Sequence, residues 1–303
     1  MSDLTLCGWR VSTDWPLPEL PPWTGDDRPA DVSIRLGKIA SELSGTVQRT
    51  PLIQVNEQGL LRFTVRNVAN YLVRAGREVI IDTPHPKGTP DIALFLLGSV
   101  LGFLCHQRGM LPLHASCVLF NGRVIALSGS SGTGKSTMAA LLMARGAQLL
   151  SDDVTVLDLQ AEDGPTVLPS FPRQKLWRDT LDALGIEPGR HLRSTVSMEK
   201  FDRSALAHFS PVPRRLDAIY HLRSRMKGDE LRVMPLDGLE AVRMLYDNIY
   251  RRTAASLLGF GDRQFQNCAS LSSAVPLYAL YLPDGVKKLV HAVPQLELLL
   301  GKA

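Results

Sequence analysis

The chain predicts an α/β domain preceded by a smaller β-rich module. Three features point there. Short alternating apolar and polar runs fill the first ninety residues, and a glycine-rich loop follows an apolar run at 124–127 and opens a helix-like run. Strand-like and helix-like runs then alternate towards the C-terminus.

The 303 residues are 45% hydrophobic and 21% charged, so disordered and fibrous classes are excluded and one large or two modest domains fit. Net charge is +4, with 34 Lys and Arg against 30 Asp and Glu spread along the chain, a distribution that does not by itself argue for nucleic acid, and no nucleic-acid partner is expected. Cys7, Cys105, Cys117 and Cys268 lie too far apart in sequence for a metal or redox motif. Together with an N-terminus lacking a secretory signal pattern, they predict a reduced, cytoplasmic protein. The oligomeric state is left open.

In chain order, Pro and Trp crowd residues 15–23, after which strand-like runs stand at 30–36 and 60–65. Runs at 71–74 and 78–81 flank Ala75-Gly76, a tight-hairpin signal. The Pro- and Gly-containing stretch 83–90 sets a boundary, giving expected domains of 1–90 and 91–303, with Asp91 placed to cap the next helix. Residues 92–105 are apolar and uncharged but shorter than the ~20 residues of a membrane span, so a buried core helix is expected and no membrane partner. Runs at 113–120 and 123–127 are joined by Asn121-Gly122 as a hairpin. The loop helix places Met138, Leu141 and Leu142 on one face and ends near Gly146. One strand is expected over 148–157, no assignment is made for 161–210, and strands are expected at 218–222, 231–234 and 276–282. Helices are expected at 239–248 and towards Leu300.

The loop Gly129-Ser130-Ser131-Gly132-Thr133-Gly134-Lys135-Ser136, continuing to Thr137, has the spacing of a phosphate-binding loop, and it sits between strand and helix as that motif requires. Its glycines let successive amides face phosphate oxygens, and the helix N-terminus adds a positive dipole end. Lys135 would reach the outer phosphates and Ser136 would offer its hydroxyl to Mg²⁺. Asp152 and Asp153 close the next strand, where one carboxylate can hold the metal and the other accept a proton, provided the strand ends between them. Alternatively, a single magnesium-binding Asp is followed by a turn residue. His114, at the far strand of the hairpin that feeds the loop, can sit beside the loop's end.

The segment Leu113-His114-Ala115-Ser116, the hairpin, the loop, and the run Arg145-Gly146-Ala147-Gln148-Leu149-Leu150-Ser151-Asp152-Asp153 together resemble the catalytic domain of the HPr kinase/phosphorylase family. That domain is similar in fold to nucleotide-dependent phosphoenolpyruvate carboxykinases. The resemblance implies a P-loop kinase domain of that type and transfer of the γ-phosphoryl group of ATP to a serine hydroxyl of a peptide or protein, with Mg²⁺ as cofactor. It also implies that His114 and Lys135 are active-site residues, that Ser136 and Asp152 serve the metal, and that Asp153 is the base. Three departures stand beside it: no counterpart of the family's glutamate metal ligand among residues 172–178, no glycine-rich signature of the bifunctional members, and an unlike N-terminal module. The whole length resembles the shorter HPr-kinase-like proteins of peptide maturation systems, including lasso-peptide kinases that act on a precursor's C-terminal serine. The apolar helix leading into Gln107-Arg108-Gly109 and the run Lys175-Leu176-Trp177-Arg178-Asp179 carry that second resemblance.

Phosphoryl transfer calls for a further cation, for which Lys175, Arg178 and Arg251 are the candidates, each beside a Trp or Tyr; Trp177 and Tyr250 themselves are read as core residues. The alternatives to a peptide or protein kinase are a kinase for free serine and a nucleotide-binding scaffold that transfers nothing. A transport ATPase is disfavoured, since no Leu-Ser-Gly-Gly segment accompanies the loop.

Overall fold

In a computed structural model, residues 2–191, 199–224, 231–283 and 285–302 are described. The first part forms an eight-stranded sheet. The expected strands are there as Val32–Leu36, Leu61–Val65, Ala69–Arg74 and Glu78–Asp82. Ala75 and Gly76 both take the positive φ, 50° and 64°, that a two-residue hairpin turn needs. Ahead of the Pro- and Trp-rich stretch, Ser2–Leu6 pairs with Trp9–Thr13. At the opposite edge lie Thr46–Arg49 and Ile53–Asn56, which the sequence pattern did not single out.

Helical structure runs continuously over Pro90–Gln107, long and apolar enough to cross a membrane, but 78% of this segment is buried within the protein. Its apolar residues share a core cluster with the eight-stranded sheet and with Val154, Val156 and Phe171, so this core joins chain on both sides of residue 90. Asp91 is not the cap. Thr89 holds the N-cap position without a side-chain bond, and Pro90, whose fixed φ suits the first helical turn, starts the helix ahead of Asp91. None of the four cysteines forms a disulfide; all are buried.

The remainder is built around a six-stranded sheet. In order it contains Gln148–Ser151, Ala115–Phe120, Arg123–Ser128, Ala218–Ser224, Leu277–Leu282 and Arg232–Leu236. Residues alternate between its faces. Ile125, Leu127 and Tyr220 pack with the loop helix Lys135–Met143 and the last helix, Val286–Lys302, whereas Val124, Ala126 and Ile219 pack with helices Gly238–Asp247 and Gly261–Ala274. The loop helix is buried well beyond the single face expected, because Ala140 also meets Leu176, Leu181 and Phe201. Residues 161–210 contain, among others, Arg173–Trp177 and the helix Arg178–Leu184.

Two expected strands are broken, and the breaks coincide. The run 113–120 divides into Leu111–Leu113 and Ala115–Phe120, and the run 148–157 into Gln148–Ser151 and Thr155–Asp158. Their later and earlier halves respectively pair within the six-stranded sheet, where Cys117 meets Ser151; the other halves pair within a four-stranded sheet, where Leu113 meets Thr155. Both segments thus cross between sheets at one place. The crossing residues are His114 and the Asp152-Asp153-Val154 corner.

Candidate active site

The glycine-rich loop joins the C-terminal end of Arg123–Ser128 to the helix Lys135–Met143. Gly134 occupies the N-cap with φ 93°, a left-handed conformation that leaves the helix amides open towards the loop. The Lys135 ammonium donates to the carbonyls of Gly129 at 2.8 Å and Ser130 at 2.9 Å, folding back over the loop. Burial shifts this lysine down to about 8, against a partial opposing pull from Asp153 and Asp152.

Gln148–Ser151 runs in the same direction as the loop strand, with Ala115–Phe120 antiparallel between them. The aspartates therefore emerge at the same sheet end as the loop. Asp152 is buried, and its Oδ1 accepts from Ser136 Oγ at 2.8 Å and Ser116 Oγ at 2.5 Å, while Oδ2 accepts from the Lys175 amide at 2.9 Å. The strand ends at Ser151, ahead of both aspartates and not between them, and Asp153 takes a left-handed φ of 73° in the corner that follows, so neither carboxylate is bound to the alternation of the pleat. Lys175 Nζ pairs with Asp153 Oδ2 at 2.7 Å. His114 Nδ1 lies 3.3 Å from Oδ1 and 3.1 Å from the Asp153 carbonyl oxygen, so a proton on Nδ1 satisfies both acceptors.

Burial alone would raise the Asp153 carboxyl, but the Lys175 ammonium and the His114 bond outweigh it and hold the group well below the ordinary carboxylate range. Burial likewise opposes the Lys175 charge, and the Asp153 carboxylate more than restores it, raising this lysine above its usual value. Both groups are ionised at neutral pH. One residue thus holds both aspartates, Asp152 through its amide and Asp153 through its ammonium.

Ser136 and Asp152 form a hydroxyl–carboxylate pair of the kind that holds Mg²⁺ beside nucleotide phosphates, which would supply the remaining oxygen ligands. The donor set fits a magnesium shared with phosphate. It does not make a closed protein cage, since the described residues contain no group of three or more His, Cys, Asp or Glu side chains suited to a metal. Where residues 172–178 lack an acidic ligand, Lys175 brings a cation to the aspartates.

The other expected residues separate. Arg178 pairs with Asp182 at 3.1 Å on the exposed face of its own helix, one turn away in sequence. Arg251 lies in a left-handed conformation with its guanidinium 5.2 Å from the Tyr250 ring centroid. Tyr250 is half-buried and packs against the core: its ring lies 5.9 Å from that of His114 and rests on the helix at Gly102, where a Cβ would come within 2.9 Å of it. Trp177 is not core, being 44% exposed. Ser116 and His221 were missed. Both are polar positions within otherwise apolar strands, which was the available signal, and His221 Nδ1 lies 3.2 Å from Ser128 Oγ at the foot of the loop. Burial, with Arg223 and Lys135 nearby, lowers His221 to about 4.

Two pockets meet at this corner. A smaller one of about 290 Å³ is lined by loop residues Gly132, Gly134, Lys135 and Ser136, together with Lys175. A larger cleft of about 1230 Å³ is lined by residues 50–53 of the N-terminal sheet, by Arg223, and by Tyr250 and Arg251. His114, Ser131 and Asp153 line both.

No protein-family profile matches the chain, and no curated protein does. Among solved structures it is similar to the Hpr(Ser) kinase/phosphatase from Coxiella burnetii, with 12% identity over 63% of this chain and 99% of that one, at a TM-score of 0.32.

Proposed function

We propose that the chain is a Mg²⁺-dependent kinase that transfers the γ-phosphoryl group of ATP to a serine hydroxyl of a peptide or protein. The observation that carries this reading is the position of Asp153, on the shared wall of a pocket built on a glycine-rich loop and a larger cleft. A donor in the first and an acceptor in the second would bring phosphate and hydroxyl together at a carboxylate able to take the proton. His114 and Lys175 orient that carboxylate. Lys135 and the loop amides bind and orient the donor's phosphates, and Ser136 and Asp152 would hold the magnesium, which supplies charge neutralisation on the phosphates when bound. With a terminal phosphate present, Lys175 has a second anion within its pocket, and Asp153 is then released to accept the hydroxyl proton.

The cleft's size supports a peptide or protein acceptor over free serine, because 1230 Å³ far exceeds one small amino acid and extends to residues 50–53. This gives the expected 1–90 module a recruiting role. The finer reading is the C-terminal serine of a lasso precursor peptide. It is supported by Arg251, a cation in the cleft suited to a terminal carboxylate.

The test is incubation with γ-labelled ATP, Mg²⁺ and peptides carrying an internal or C-terminal serine, with free serine in parallel. Label is expected on peptide, and Asp153→Asn should lower the rate by about 10²–10⁴-fold while nucleotide still binds. Label on free serine alone would select the small-molecule kinase. Nucleotide binding with no transfer to any acceptor would select the scaffold.

A further inference from the structure

The strand Arg173–Trp177 buries Gln174 and Leu176 and turns Arg173, Lys175 and Trp177 to its other face. Lys175 stands at Asp153. Trp177, two residues and about 6.6 Å farther along the same strand face, lines the same small pocket. The indole keeps 44% of its surface in water, while the helix Arg178–Leu184 joins the core through Leu181. Lys200, its cross-strand partner, sets its ammonium 5.6 Å from the ring centroid, so the ring there meets a cation and not a packed apolar wall. Leu282, Pro283 and Val286 supply an apolar side to this otherwise charged pocket. A ring open to solvent, an apolar side, and a loop that presents amides to phosphate are the three surfaces a nucleotide needs, one for each of its chemically different ends.

We propose that Trp177 is the platform on which the base of the bound nucleotide stacks, so that one strand face carries the nucleotide from its reacting phosphate, at Lys175, to its base, at Trp177. The assignment rests on the nucleotide-binding reading above. Stacking requires a π-face and tolerates any base, so adenine and guanine nucleotides are both accepted at this position, and discrimination between them falls to other groups.

The test separates the base from the phosphates. With Mg²⁺ present, ADP, GDP and inorganic tripolyphosphate are titrated into the full chain by calorimetry and by tryptophan fluorescence. Both nucleotides should quench the fluorescence, and tripolyphosphate should bind without quenching. Trp177→Leu should abolish the quenching and weaken ADP and GDP about tenfold, with tripolyphosphate affinity within twofold of the parent. Trp177→Phe, which keeps a ring, should restore most of the nucleotide affinity, and its unchanged circular dichroism guards against a folding defect. Equal ADP affinity in the parent and Trp177→Leu, beside normal tripolyphosphate binding, overturns the stacking role and leaves the loop assignment standing. Failure of all three ligands to bind the parent protein overturns both.

Discussion

The glycine-rich loop and the Asp153 cluster lie within one corner of the molecule but are made in opposite ways. The loop is a single run of contiguous residues whose shape follows from glycine backbone freedom and a helix start. The cluster draws His114, Asp153 and Lys175 from three segments, separated by 39 and 22 residues: two cross between sheets at the same point, and the strand Arg173–Trp177 brings the third against them. The loop's shape is therefore encoded locally, whereas the position of the Asp153 carboxylate depends on long-range pairing.

The largest expected effect breaks the local half. Lys135→Ala should weaken nucleotide binding and slow transfer by about 10²–10³-fold without changing the unfolding midpoint appreciably, measured by calorimetry and urea titration. Substituting within the cluster should do the reverse. Lys175→Met leaves Asp153 partly buried with His114 beside it, so folding stability should fall by roughly 3 kcal/mol in urea denaturation while tripolyphosphate affinity falls far less than in Lys135→Ala. An unchanged urea midpoint in that variant would erase the distinction between the two regions.

The pH dependence sharpens the comparison further. Lys135 is held down to about 8, so its ammonium is present in the free protein below that pH and lost above it. Nucleotide affinity should be flat up to about pH 7 and decline through 8, reaching about a tenfold loss one unit above, whereas Asp153 and Lys175 stay ionised across the whole range. Calorimetric titrations between pH 6 and 9.5 measure this directly, and a flat profile would remove Lys135 from the binding step. The smallest effect belongs to Arg178. Paired with Asp182 on an exposed helix face, Arg178→Ala should change stability by less than about 0.5 kcal/mol and leave transfer rates at the parent level.

Much of this corner could be read along the chain. The Asn121-Gly122 hairpin, the loop, its helix and the aspartate pair stand where composition and spacing put them. What escaped was the break in each of two strands. Leu113 and Ala115 are both fully buried, as are Ser151 and Thr155, so burial continues on both sides of each break. Periodicity reports that a residue is covered; it does not report which sheet covers it. Trp177 was misjudged for a related reason: aromatic character suggests a core, and only the neighbours show that its ring faces a pocket, whereas Tyr250 does pack on the core helix. Lys175 and Arg178 were indistinguishable as basic residues flanking Trp177, until strand pairing turned one inward and the helix turned the other to water.

The amino-acid sequence by itself determined the elements that need only neighbours a few residues apart: the glycine loop, the hairpin turns, the loop helix and the adjacent carboxylates. The tertiary structure decided which charged groups meet. Ion pairs and hydrogen bonds act over a few ångströms, and only the coincident crossing of two segments, with the strand Arg173–Trp177 set against the second of them, brings His114, Asp153 and Lys175 within that distance.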